Sequence, residues 1–487
     1  MTKSSQEHFD YDLAVIGGGS SGYAAARTAA AAGLKTVVIE GGEEVGGLCI
    51  LRGCMPTKAL LYAAEVMHLA SHPQVWGIRA EDLSFNFAQV MARKDALIKE
   101  FADFRHEQLK GGKFKFVRAM AKFVDAHTVQ LSRLPSPGGE GQGEGELLQK
   151  SARLLRARHF VIATGSTIAP APLPALNDID CLTSDTAIRL TRLPKSLIVL
   201  GGGAVAVEFA QFFARFGVKV TLIQRSPHIV HEFDSDAAAE LENALRREGI
   251  TLYTGTKLQD ARRAGTHKEI VFEHDGKTVR VQAEEVFYAL GRIPNLASLD
   301  LEKIGVQTEY GRIVSDHEMR SSVPHIFSAG DCTGLHEIVH IAVQQGETAG
   351  HNIAHPQTPK KMDYRLLTEV IFTDPQLAVV GLTEKRAHVK NIPYLVAKHR
   401  FDDHGKSMIM DVKDGFVKLL ADPTSGEILG GCCAGPVGGE LIHEITAAMY
   451  KRMTVQDLAA MPHYHPTLAE IWTYPAEELS EEIGKNR

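Results

Sequence analysis

The chain has 487 residues, too many for one hydrophobic core, so two to four domains are expected. Hydrophobic residues make up 44% and charged residues 23%, which is typical of a soluble protein. A net charge of −6 provides no basic surface for nucleic acid. No apolar stretch approaches the roughly 18 residues of a membrane span, and the polar N-terminus shows no signal peptide. We therefore expect a cytoplasmic protein without nucleic-acid or membrane partners.

The first predicted elements form a strand–helix–strand unit around a G-x-G-x-x-G pattern. An apolar strand at 12–16 precedes the pattern, an alanine-rich helix at 23–32 follows it, and a second strand at 35–39 ends at Glu40. The pattern's glycines are Gly17, Gly19 and Gly22. Glycines here permit a tight turn and close approach of a pyrophosphate to the helix N-terminus, while the acid can hold a ribose 2′-hydroxyl. The unit predicts a dinucleotide site.

Two cysteines follow this unit closely. Cys49 and Cys54 lie in the run G-G-L-C-I-L-R-G-C-M-P-T-K at 46–58, which then turns helical at 56–69. Successive helical turns are expected to bring their Cα atoms within disulfide range, and a position near a helix N-terminus would stabilise the Cys54 thiolate. A dithiol beside a redox cofactor predicts a disulfide that exchanges electrons with a flavin. The alternative is a pair of buried core cysteines.

Lys58 lies four residues after Cys54, on the same predicted helical face. A cation there would stabilise negative charge on a reduced flavin. A buried lysine needs a partner, and Glu208 is a candidate. The alternative is a solvated lysine.

The glycine unit recurs 184 residues later. A strand at 196–200 and a helix at 205–216 flank a G-x-G-x-x-A pattern, and a strand at 218–223 follows. The pattern consists of Gly201, Gly203 and Ala206. Gln224 lies 23 residues after Gly201, as Glu40 lies 23 after Gly17. Two units predict two dinucleotides.

The second unit ends in Gln224-Arg225 instead of an acid. An acid repels a 2′-phosphate whereas an arginine pairs with it, so NADPH is favoured over NADH. The alternative is that Arg225 is a solvated turn residue.

Other segments are expected to carry less chemistry. The low-complexity stretch 134–146 predicts a mobile loop at the tip of a β-hairpin insertion. The remaining cysteines are expected to be packing residues: Cys181, Cys332, Cys432 and Cys433. Asp331, at a turn before a helical stretch, could accept a hydrogen bond from a ribityl hydroxyl.

The C-terminal run H-Y-H-P-T-L-A-E at 463–470 offers an acid–base pair. Dithiol chemistry needs a group that takes and returns a proton near neutral pH, which suits His465. Glu470, five residues on, could orient that imidazole. The alternatives are a metal-binding H-x-H pair or ordinary surface histidines, and we expect no metal.

Together these motifs resemble the class I pyridine nucleotide–disulfide oxidoreductases. Further matching runs are A-T-G-S at 163–166, A-L-G-R-I-P-N at 289–295, S-A-G-D at 328–331 and F-T-D-P-Q at 372–376. The resemblance implies an α/β fold with two Rossmann-like three-layer nucleotide-binding domains and a C-terminal α+β dimerisation domain. It divides the chain into an FAD domain in two parts (1–168 and 288–358), an NAD(P) domain (169–287) and an interface domain (359–487).

The resemblance also implies a role for each residue. Cys49 is the interchange thiol that faces the substrate, and Cys54 is the charge-transfer thiol against the flavin. Lys58, paired with Glu208, lies near the flavin N5 and Asp331 holds the ribityl chain. His465 and Glu470 complete the site of the other subunit in an obligate homodimer. Further cofactor-binding positions are Gly47, Ala121, Gly165 and Gly291.

Within this family, dihydrolipoamide dehydrogenases share the H-P-T-L-x-E ending and are favoured. Their second nucleotide motif usually ends in an acid, so Gln224-Arg225 departs from them. Glutathione reductases share Arg225 and Ala206 and a substrate-contact arginine like Arg27, yet Glu347 stands where they carry a basic residue. Mercuric reductases carry a C-terminal Cys-Cys tail, which is lacking here. Soluble transhydrogenases lack the first cysteine.

The expected reaction is a two-electron transfer among NAD(P)(H), FAD, the Cys49–Cys54 disulfide and a small disulfide or dithiol, with dihydrolipoamide favoured. The first alternative is an NADPH-dependent reductase of glutathione or another low-molecular-weight disulfide. A non-enzyme alternative is an accessory subunit that docks a lipoyl-carrying protein.

Overall fold

The computed structural model describes residues 8–134 and 153–485. Its strands are β1 Tyr11–Ile16, β2 Thr36–Glu40, β3 Lys115–Arg118, β4 Met120–Asp125, β5 Thr128–Ser132, β6 Arg153–Ile162, β7 Ser166–Ile168, β8 Ser196–Leu200, β9 Lys219–Ile223, β10 Thr251–Tyr253, β11 Lys257–Ala264, β12 His267–His274, β13 Lys277–Ala283, β14 Glu285–Tyr288, β15 Arg292–Pro294, β16 Thr308–Glu309, β17 Arg312–Ile313, β18 Ile326–Ser328, β19 Thr368–Ile371, β20 Gln376–Gly381, β21 Leu395–Arg400, β22 Phe416–Ala421 and β23 Ile428–Gly435.

Helices connect these strands. The α-helices are α1 Ser20–Ala31, α2 Gly47–Leu51, α3 Cys54–Ser71, α4 Phe87–Lys110, α5 Ser184–Ala187, α6 Ala204–Arg215, α7 Ser235–Arg247, α8 Val339–Ala354, α9 Glu384–Lys390, α10 Gly405–Ile409, α11 Gly438–Tyr450, α12 Val455–Ala460 and α13 Thr473–Lys485. Short 3-10 helices span Pro73–Trp76, Pro174–Ile179, Leu301–Ile304, Asp331–Thr333, Tyr364–Leu366, Phe401–Asp403 and Ala469–Trp472.

The first of two compact units contains residues 1–56, 94–170 and 291–363. Its sheet has the parallel order β3-β2-β1-β6, and β18 also pairs with β6. The first half of β6 pairs antiparallel with β5, and β5 pairs with β4. All five residues of β2 are buried, as expected for a parallel strand covered on both faces. Except for residue 134, the predicted hairpin tip at 134–146 lies outside the described residues.

Helices α1 and α8 pack closely in this unit because α8 carries two glycines on the contact face. A Cβ atom at Gly346 would lie 2.1 Å from the carbonyl oxygen of Ser21, and one at Gly350 would lie 2.5 Å from that of Ala25. Any larger residue would push the helices apart. This packing fixes the start of α1, where the first glycine pattern lies.

The second unit contains residues 57–93, 171–290 and 364–487. It has a parallel sheet of order β10-β9-β8-β14, an antiparallel sheet β11-β12-β13 and an antiparallel sheet β19-β20-β23-β22-β21. Helix α6 contributes Phe209, Phe212 and Phe213 to a core beneath the parallel sheet. The last antiparallel sheet packs against α11, α12 and α13 around the fully buried Trp472.

The predicted fold class, two Rossmann-like parallel sheets and a C-terminal α+β domain, is confirmed. The nucleotide-binding strands begin and end within one or two residues of the predicted bounds. Along the sequence, the assignment changes from one compact unit to the other at 170/171, 290/291 and 363/364, and segment 57–93 is assigned to the second unit. The finer division at 168, 287 and 358 stays a prediction.

Candidate active site

Gly17 forms the tight turn that ends β1. Its φ is +107°, its N–H donates to the carbonyl of Ile39 at 2.8 Å, and a Cβ atom would lie 2.2 Å from the carbonyl oxygen of Ala163. A Cβ at Gly22 would in turn lie 1.8 Å from the carbonyl oxygen of Gly17. Both positions therefore accept only glycine, as the dinucleotide pattern requires.

No side chain caps the N-terminus of α1, where two glycines pack against each other. Gly19 precedes the helix and has no side chain to cap it, and a Cβ at Gly47 would lie 2.7 Å from the Cα of Gly19. Beyond the turn, the hydroxyl of Thr164 is buried without a partner among the residues of 8–134 and 153–485. Exposed N–H groups at a helix start and an unpartnered hydroxyl suit phosphate oxygens. The residues present thus fit the pyrophosphate of a dinucleotide such as FAD.

Glu40 ends β2 as predicted and is 9% exposed. Its carboxylate accepts hydrogen bonds from the backbone N–H groups of Gly18 at 2.7 Å and Gly42 at 2.5 Å. Each carboxylate oxygen has a further lone pair for a ribose hydroxyl. The backbone contacts fix the carboxylate beside the glycine turn.

Asp331 is the first residue of a 3-10 helix and belongs to a polar chain. It accepts a hydrogen bond from the hydroxyl of Ser166 at 2.7 Å, and that hydroxyl accepts one from Nε of Arg292 at 2.9 Å. Burial and the nearby Asp331 raise the pKa of Glu337. The arginine and serine hold Asp331 in one orientation, which suits a group that binds a sugar-like chain.

Three further residues were predicted to bind a cofactor, and the structure describes the surroundings of each. Ala121 is buried in β4 opposite Leu131. Gly165 has a φ of +68° and accepts a hydrogen bond from the N–H of Asn295 at 2.9 Å. Gly291 has a φ of +117°, and its carbonyl accepts one from Ala169 at 3.0 Å. Their contact with a cofactor stays a prediction.

The cysteine pair is arranged differently from the expectation. Cys49 and Cys54 do not lie on successive turns of one helix, because Cys49 belongs to α2 and Cys54 is the first residue of α3. The chain reverses between them at Gly53, where a Cβ atom would lie 3.1 Å from the carbonyl oxygen of Leu48 and 3.3 Å from the Cα of Cys49. Both cysteines are half-buried. The prediction that Cys54 lies at a helix N-terminus, where a thiolate is stabilised, agrees with this arrangement.

Lys58 lies one turn into α3 and pairs with Glu208 of α6. Its Nζ lies 3.0 Å and 2.8 Å from the two carboxylate oxygens. The side chain of Glu208 is 3% exposed and also accepts a hydrogen bond from the backbone of Phe372 at 2.9 Å. The lysine Nζ also lies 4.7 Å from the centre of the Phe372 ring. Lys58 therefore forms an ion pair with a buried glutamate and is not simply solvated.

The second glycine unit repeats the first turn. Gly201 has a φ of +110°, donates to the carbonyl of Ile223 at 3.0 Å, and would place a Cβ 2.3 Å from the carbonyl oxygen of Ala289. Gly203 precedes α6 with open space around it, and Ala206 is fully buried. The start of α6 is therefore accessible to a second pyrophosphate.

Gln224 and Arg225 end the second strand. Gln224 is 8% exposed, and a Cβ at Gly202 would lie 3.0 Å from its side chain. Its amide nitrogen is 3.5 Å from the carbonyl oxygen of His228. Arg225 is exposed. No carboxylate occupies the position that Glu40 takes in the first unit.

His465 and Glu470 form the expected pair. Nδ1 of His465 lies 3.0 Å and 3.2 Å from the two carboxylate oxygens. The imidazole is 78% exposed, whereas the side chain of Glu470 is 11% exposed. His463 contacts a different carboxylate, that of Glu444, at 2.6 Å. The two histidines therefore do not share a metal-binding geometry.

His404 is a neighbour of this pair that the sequence reasoning missed. Its buried imidazole places Nε2 3.4 Å from Oε1 of Glu470 and Nδ1 2.8 Å from the hydroxyl of Ser407. Burial lowers the pKa of His404, which favours the neutral form of the ring. Glu470 thus has one exposed and one buried imidazole beside it. The three-residue spacing of His404 and Ser407 was visible, but nothing in the sequence linked it to Glu470.

The other four cysteines are embedded in the fold. Burial raises the pKa of Cys181 to about 11 and that of Cys332 and Cys432 to about 12. It also raises the pKa of Cys433 well above the ordinary value of a thiol. Thiols with such values stay protonated at neutral pH and react poorly. This supports the prediction that they are packing residues.

One cluster of metal-ligating groups occurs within the described ranges. His68, Glu248 and Asp374 offer ligand atoms within 4.8 Å of one another. However, Nη2 of Arg215 lies 2.7 Å from a carboxylate oxygen of both Glu248 and Asp374. The guanidinium already supplies the countercharge, so we interpret the cluster as an ion-pair network. The expectation of no metal stays a prediction.

Comparison with known proteins agrees with this geometry. A family model described as pyridine nucleotide-disulphide oxidoreductase matches residues 11–346, and that of its dimerisation domain matches 367–476. The chain belongs to the pyridine nucleotide-disulphide oxidoreductase family.

Two relatives and one solved structure are similar to nearly the whole chain. The dihydrolipoyl dehydrogenase of Geobacillus stearothermophilus is 34% identical over 466 residues, covering 95% of each chain. That of Bacillus subtilis (strain 168) is also 34% identical over 466 residues, covering 95% of this chain and 96% of its own. A solved structure, the HOCl-induced flavoprotein disulfide reductase of Escherichia coli, has a TM-score of 0.82 at 22% identity over 96% of this chain and 99% of its own. That structure supports the fold alone.

The predicted class, an FAD-dependent disulfide oxidoreductase that resembles dihydrolipoamide dehydrogenase, is confirmed. The family supports FAD and a pyridine nucleotide as cofactors, and its dimerisation domain supports a homodimer. Among the described helices, none has the length and apolar character of a membrane span. The nucleotide preference and a lipoyl-carrying partner stay predictions.

Proposed function

We propose that this protein transfers two electrons between a nicotinamide nucleotide and a small dithiol or disulfide, with dihydrolipoamide as the favoured substrate. The observation that carries this proposal is the position of Cys49 and Cys54. Both are half-buried: Cys49 is the middle residue of α2, and Cys54 is the first residue of α3. The start of α2 packs against the glycine turn of the first dinucleotide unit. FAD, when bound, supplies the two-electron exchange between the nicotinamide and the cysteine pair.

The cysteines and a histidine perform the sulfur chemistry. In the reductive direction the Cys49 thiolate attacks the substrate disulfide, and a mixed disulfide forms as the first substrate thiolate leaves. The partner subunit's His465 protonates that leaving group, and its Glu470 orients the imidazole. The Cys54 thiolate then attacks the sulfur of Cys49, which releases the second substrate sulfur as a thiolate and forms the Cys49–Cys54 disulfide. The reverse sequence oxidises dihydrolipoamide.

The remaining residues bind and position the cofactors. In this proposal residues 1–168 and 288–358 hold FAD, 169–287 hold the nicotinamide nucleotide, and 359–487 form the dimer interface. Glu208 fixes the position of Lys58, whose ammonium stabilises negative charge on the reduced flavin, and Asp331 holds the ribityl chain. A cytoplasmic location is part of the same proposal.

We propose NADPH as the preferred nucleotide. Gln224 places no negative charge near a 2′-phosphate, and Arg225 is exposed and available to it. The named relatives are dihydrolipoyl dehydrogenases. An acid at the end of the second strand would favour NADH, and this chain has Gln224 there instead.

The test is a Cys49→Ser variant assayed with both nicotinamides against lipoamide, glutathione disulfide and Hg(II). We expect the variant to keep bound yellow FAD and to lose disulfide turnover, because the nucleophile is gone while the cofactor cradle is intact. Retained turnover would contradict the role of Cys49. Wild type active only with glutathione disulfide or Hg(II) would favour those substrates. Wild type inactive with every acceptor would favour an accessory subunit that docks a lipoyl carrier.

A further inference from the structure

His404 is a buried imidazole beside the carboxylate of Glu470, and the proposed sulfur chemistry does not yet use it. Its side chain is fully buried, and Nε2 lies 3.4 Å from Oε1 of Glu470. Nδ1 lies 2.8 Å from the hydroxyl of Ser407. The rings of Phe401 and Tyr474 stand nearly perpendicular to the imidazole, with ring centres 6.5 Å and 6.3 Å away. Packing therefore holds the imidazole in one place against the carboxylate.

The carboxylate of Glu470 has few groups that stabilise its charge. Its side chain is 11% exposed, and in the part of the chain that the structure describes its hydrogen-bond and ion-pair neighbours are the imidazoles of His465 and His404. The similarly buried Glu40 receives two backbone N–H groups instead. Burial disfavours a carboxylate anion unless donors compensate it. His404 is the group placed to provide Glu470 with a second donor.

The hydroxyl of Ser407 determines which nitrogen of His404 carries the hydrogen. Ser407 is fully buried, and Nδ1 of His404 is the one partner of its hydroxyl among the described residues. If the hydroxyl accepted from Nδ1, its own hydrogen would be unpaired and a lone pair on Nε2 would face a carboxylate oxygen. The hydroxyl therefore donates to Nδ1, and the ring hydrogen lies on Nε2. This hydrogen faces Glu470.

The contact is close enough to become a hydrogen bond. Nε2 of His404 is sealed from solvent and makes no bond of full geometry within the described ranges. Buried donors nearly always have an acceptor, and Oε1 of Glu470 at 3.4 Å is the acceptor beside it. A shift of the carboxylate by a few tenths of an ångström would close that distance to the ordinary hydrogen-bond range.

The charges around His404 favour a neutral donor. The titratable side chains that face it are Glu470, His465, His399 and Tyr474. Burial lowers the pKa of His404, Glu470 opposes that shift, and the two other imidazoles reinforce it. A neutral imidazole stabilises the carboxylate through a hydrogen bond and does not compete with His465 as a second cation.

We propose that His404 is a positioning residue for the acid–base pair: it donates from Nε2 to the Glu470 carboxylate and keeps that carboxylate ionised and directed at Nδ1 of His465. This inference rests on the proposed function, because it takes His465 as the group that exchanges a proton with the substrate sulfur. The donor stabilises the pair most when the pair is unprotonated, since the carboxylate then has no cation beside it. Loss of the donor therefore makes the pair take up its proton at a higher pH.

The test is the pH dependence of dihydrolipoamide oxidation, in which the pair must be unprotonated to accept the thiol proton. kcat/KM is measured from acid to alkaline pH with wild type, His404→Leu and His404→Gln. Leucine fills a similar volume without a donor, so the acid limb of the profile should move up by about 0.5–1 pH unit. Activity should then fall by up to about tenfold on that limb and little on the plateau. Glutamine keeps an N–H donor and should restore most of the wild-type profile.

Two further variants separate the contact from a general effect. Ser407→Ala removes the hydroxyl that selects the tautomer, so the acid limb should move in the same direction by a smaller amount. This variant carries the test if His404→Leu does not retain FAD. His399→Gln is the matched control, because His399 stacks on Tyr474 with 4.0 Å between ring centres and contacts the carbonyl of Asp403. It removes an imidazole from the same surroundings and should leave the acid limb in place.

Three outcomes would overturn the inference. An acid limb that stays in place in His404→Leu and Ser407→Ala would mean that the contact has no effect on the pair. Loss of activity by one factor at every pH would give His404 a purely structural role. An equal shift in His399→Gln would point to a general charge effect. A wild type that oxidises dihydrolipoamide with neither nicotinamide nucleotide would instead contradict the proposed function, so the two failures are distinguishable.

Discussion

The two glycine-rich units share one turn and differ in the residue that closes it. Gly17 and Gly201 have nearly the same φ, and in both a Cβ would overlap a backbone carbonyl oxygen. In the first unit the carboxylate of Glu40 binds the N–H of Gly18 directly. In the second unit the amide of Gln224 covers the equivalent glycine and its nitrogen faces the carbonyl of His228. The turn is thus common to both units, and we propose that the closing residue determines which ribose each unit accepts.

The largest effects are expected where the units are alike. Gly17→Ala and Gly201→Ala each force a side chain into a positive φ and against a carbonyl oxygen, at a cost of at least about 2 kcal/mol. Gly17→Ala should lose FAD. Gly201→Ala should keep FAD and still be reduced by dihydrolipoamide, yet respond to neither nicotinamide. Flavin absorbance followed after each reductant separates the two cases.

Identical behaviour of Gly17→Ala and Gly201→Ala would contradict the assignment of different nucleotides to the two units. Gly33→Ala offers a control, because Gly33 also has a positive φ, +92°, but open space around its Cβ position. It should lose some stability without loss of either cofactor. Reduction of Gly201→Ala by NADPH at the wild-type rate would show that the second unit does not bind the nicotinamide nucleotide.

A reciprocal exchange of the closing residues should have the next largest effects. Glu40→Gln turns an amide nitrogen toward one of two N–H donors, at Gly18 or Gly42, and leaves it unpaired. Such an unpaired buried donor costs about 1–3 kcal/mol, so FAD should bind roughly ten- to a hundredfold more weakly. Equilibrium titration of apoprotein with FAD measures this. Unchanged affinity would mean that Glu40 only shapes the turn.

The opposite change, Gln224→Glu, introduces a carboxylate that repels a 2′-phosphate and accepts from a 2′-hydroxyl. We expect kcat/KM for NADPH to fall about tenfold while that for NADH is kept or rises, a shift of about 1.4 kcal/mol. Steady-state assays with both nucleotides give the ratio directly. An equal effect on the two nucleotides would place residue 224 away from the ribose.

Sequence patterns predicted the parts of this molecule that depend on short-range chemistry. The strand, turn and helix at 12–32 follow from hydrophobic spacing and glycine alone. The cysteine arrangement was predicted less well, because a five-residue helix that ends before Gly53 leaves little periodic signal. His404 could not be found, since its contact with Glu470 joins segments 66 residues apart that no local pattern connects.

The environment of Arg105, on α4, was equally hidden. A charge in an amphipathic helix is usually solvated, whereas the guanidinium carbon of Arg105 lies 4.5 Å from the centre of the Tyr23 ring, and its Nε and Nη1 atoms are buried without a hydrogen-bond partner among the described residues. The Lys58–Glu208 contact was predicted only in part from the residues themselves. A lysine at that spacing predicted the need for a partner, and the family pattern identified the glutamate 150 residues away.

The smallest effect is expected from Arg225, whose charge is exposed. Arg225→Ala should lower kcat/KM for NADPH by about three- to tenfold, since an exposed ion pair contributes about 0.2–1 kcal/mol and a doubly charged phosphate somewhat more. NADH, which lacks the 2′-phosphate, should be used at the wild-type rate. Because solvent-exposed charges are screened within about 8 Å at physiological salt and about 3 Å at 1 M, the difference between wild type and variant should shrink as salt is raised. A loss that persists at high salt, or that appears equally with NADH, would mean that Arg225 supports the loop after β9 instead of contacting the phosphate. The preference for NADPH would then depend on Gln224 alone. The two units would differ in ribose recognition only through the carboxylate that Glu40 has and Gln224 lacks.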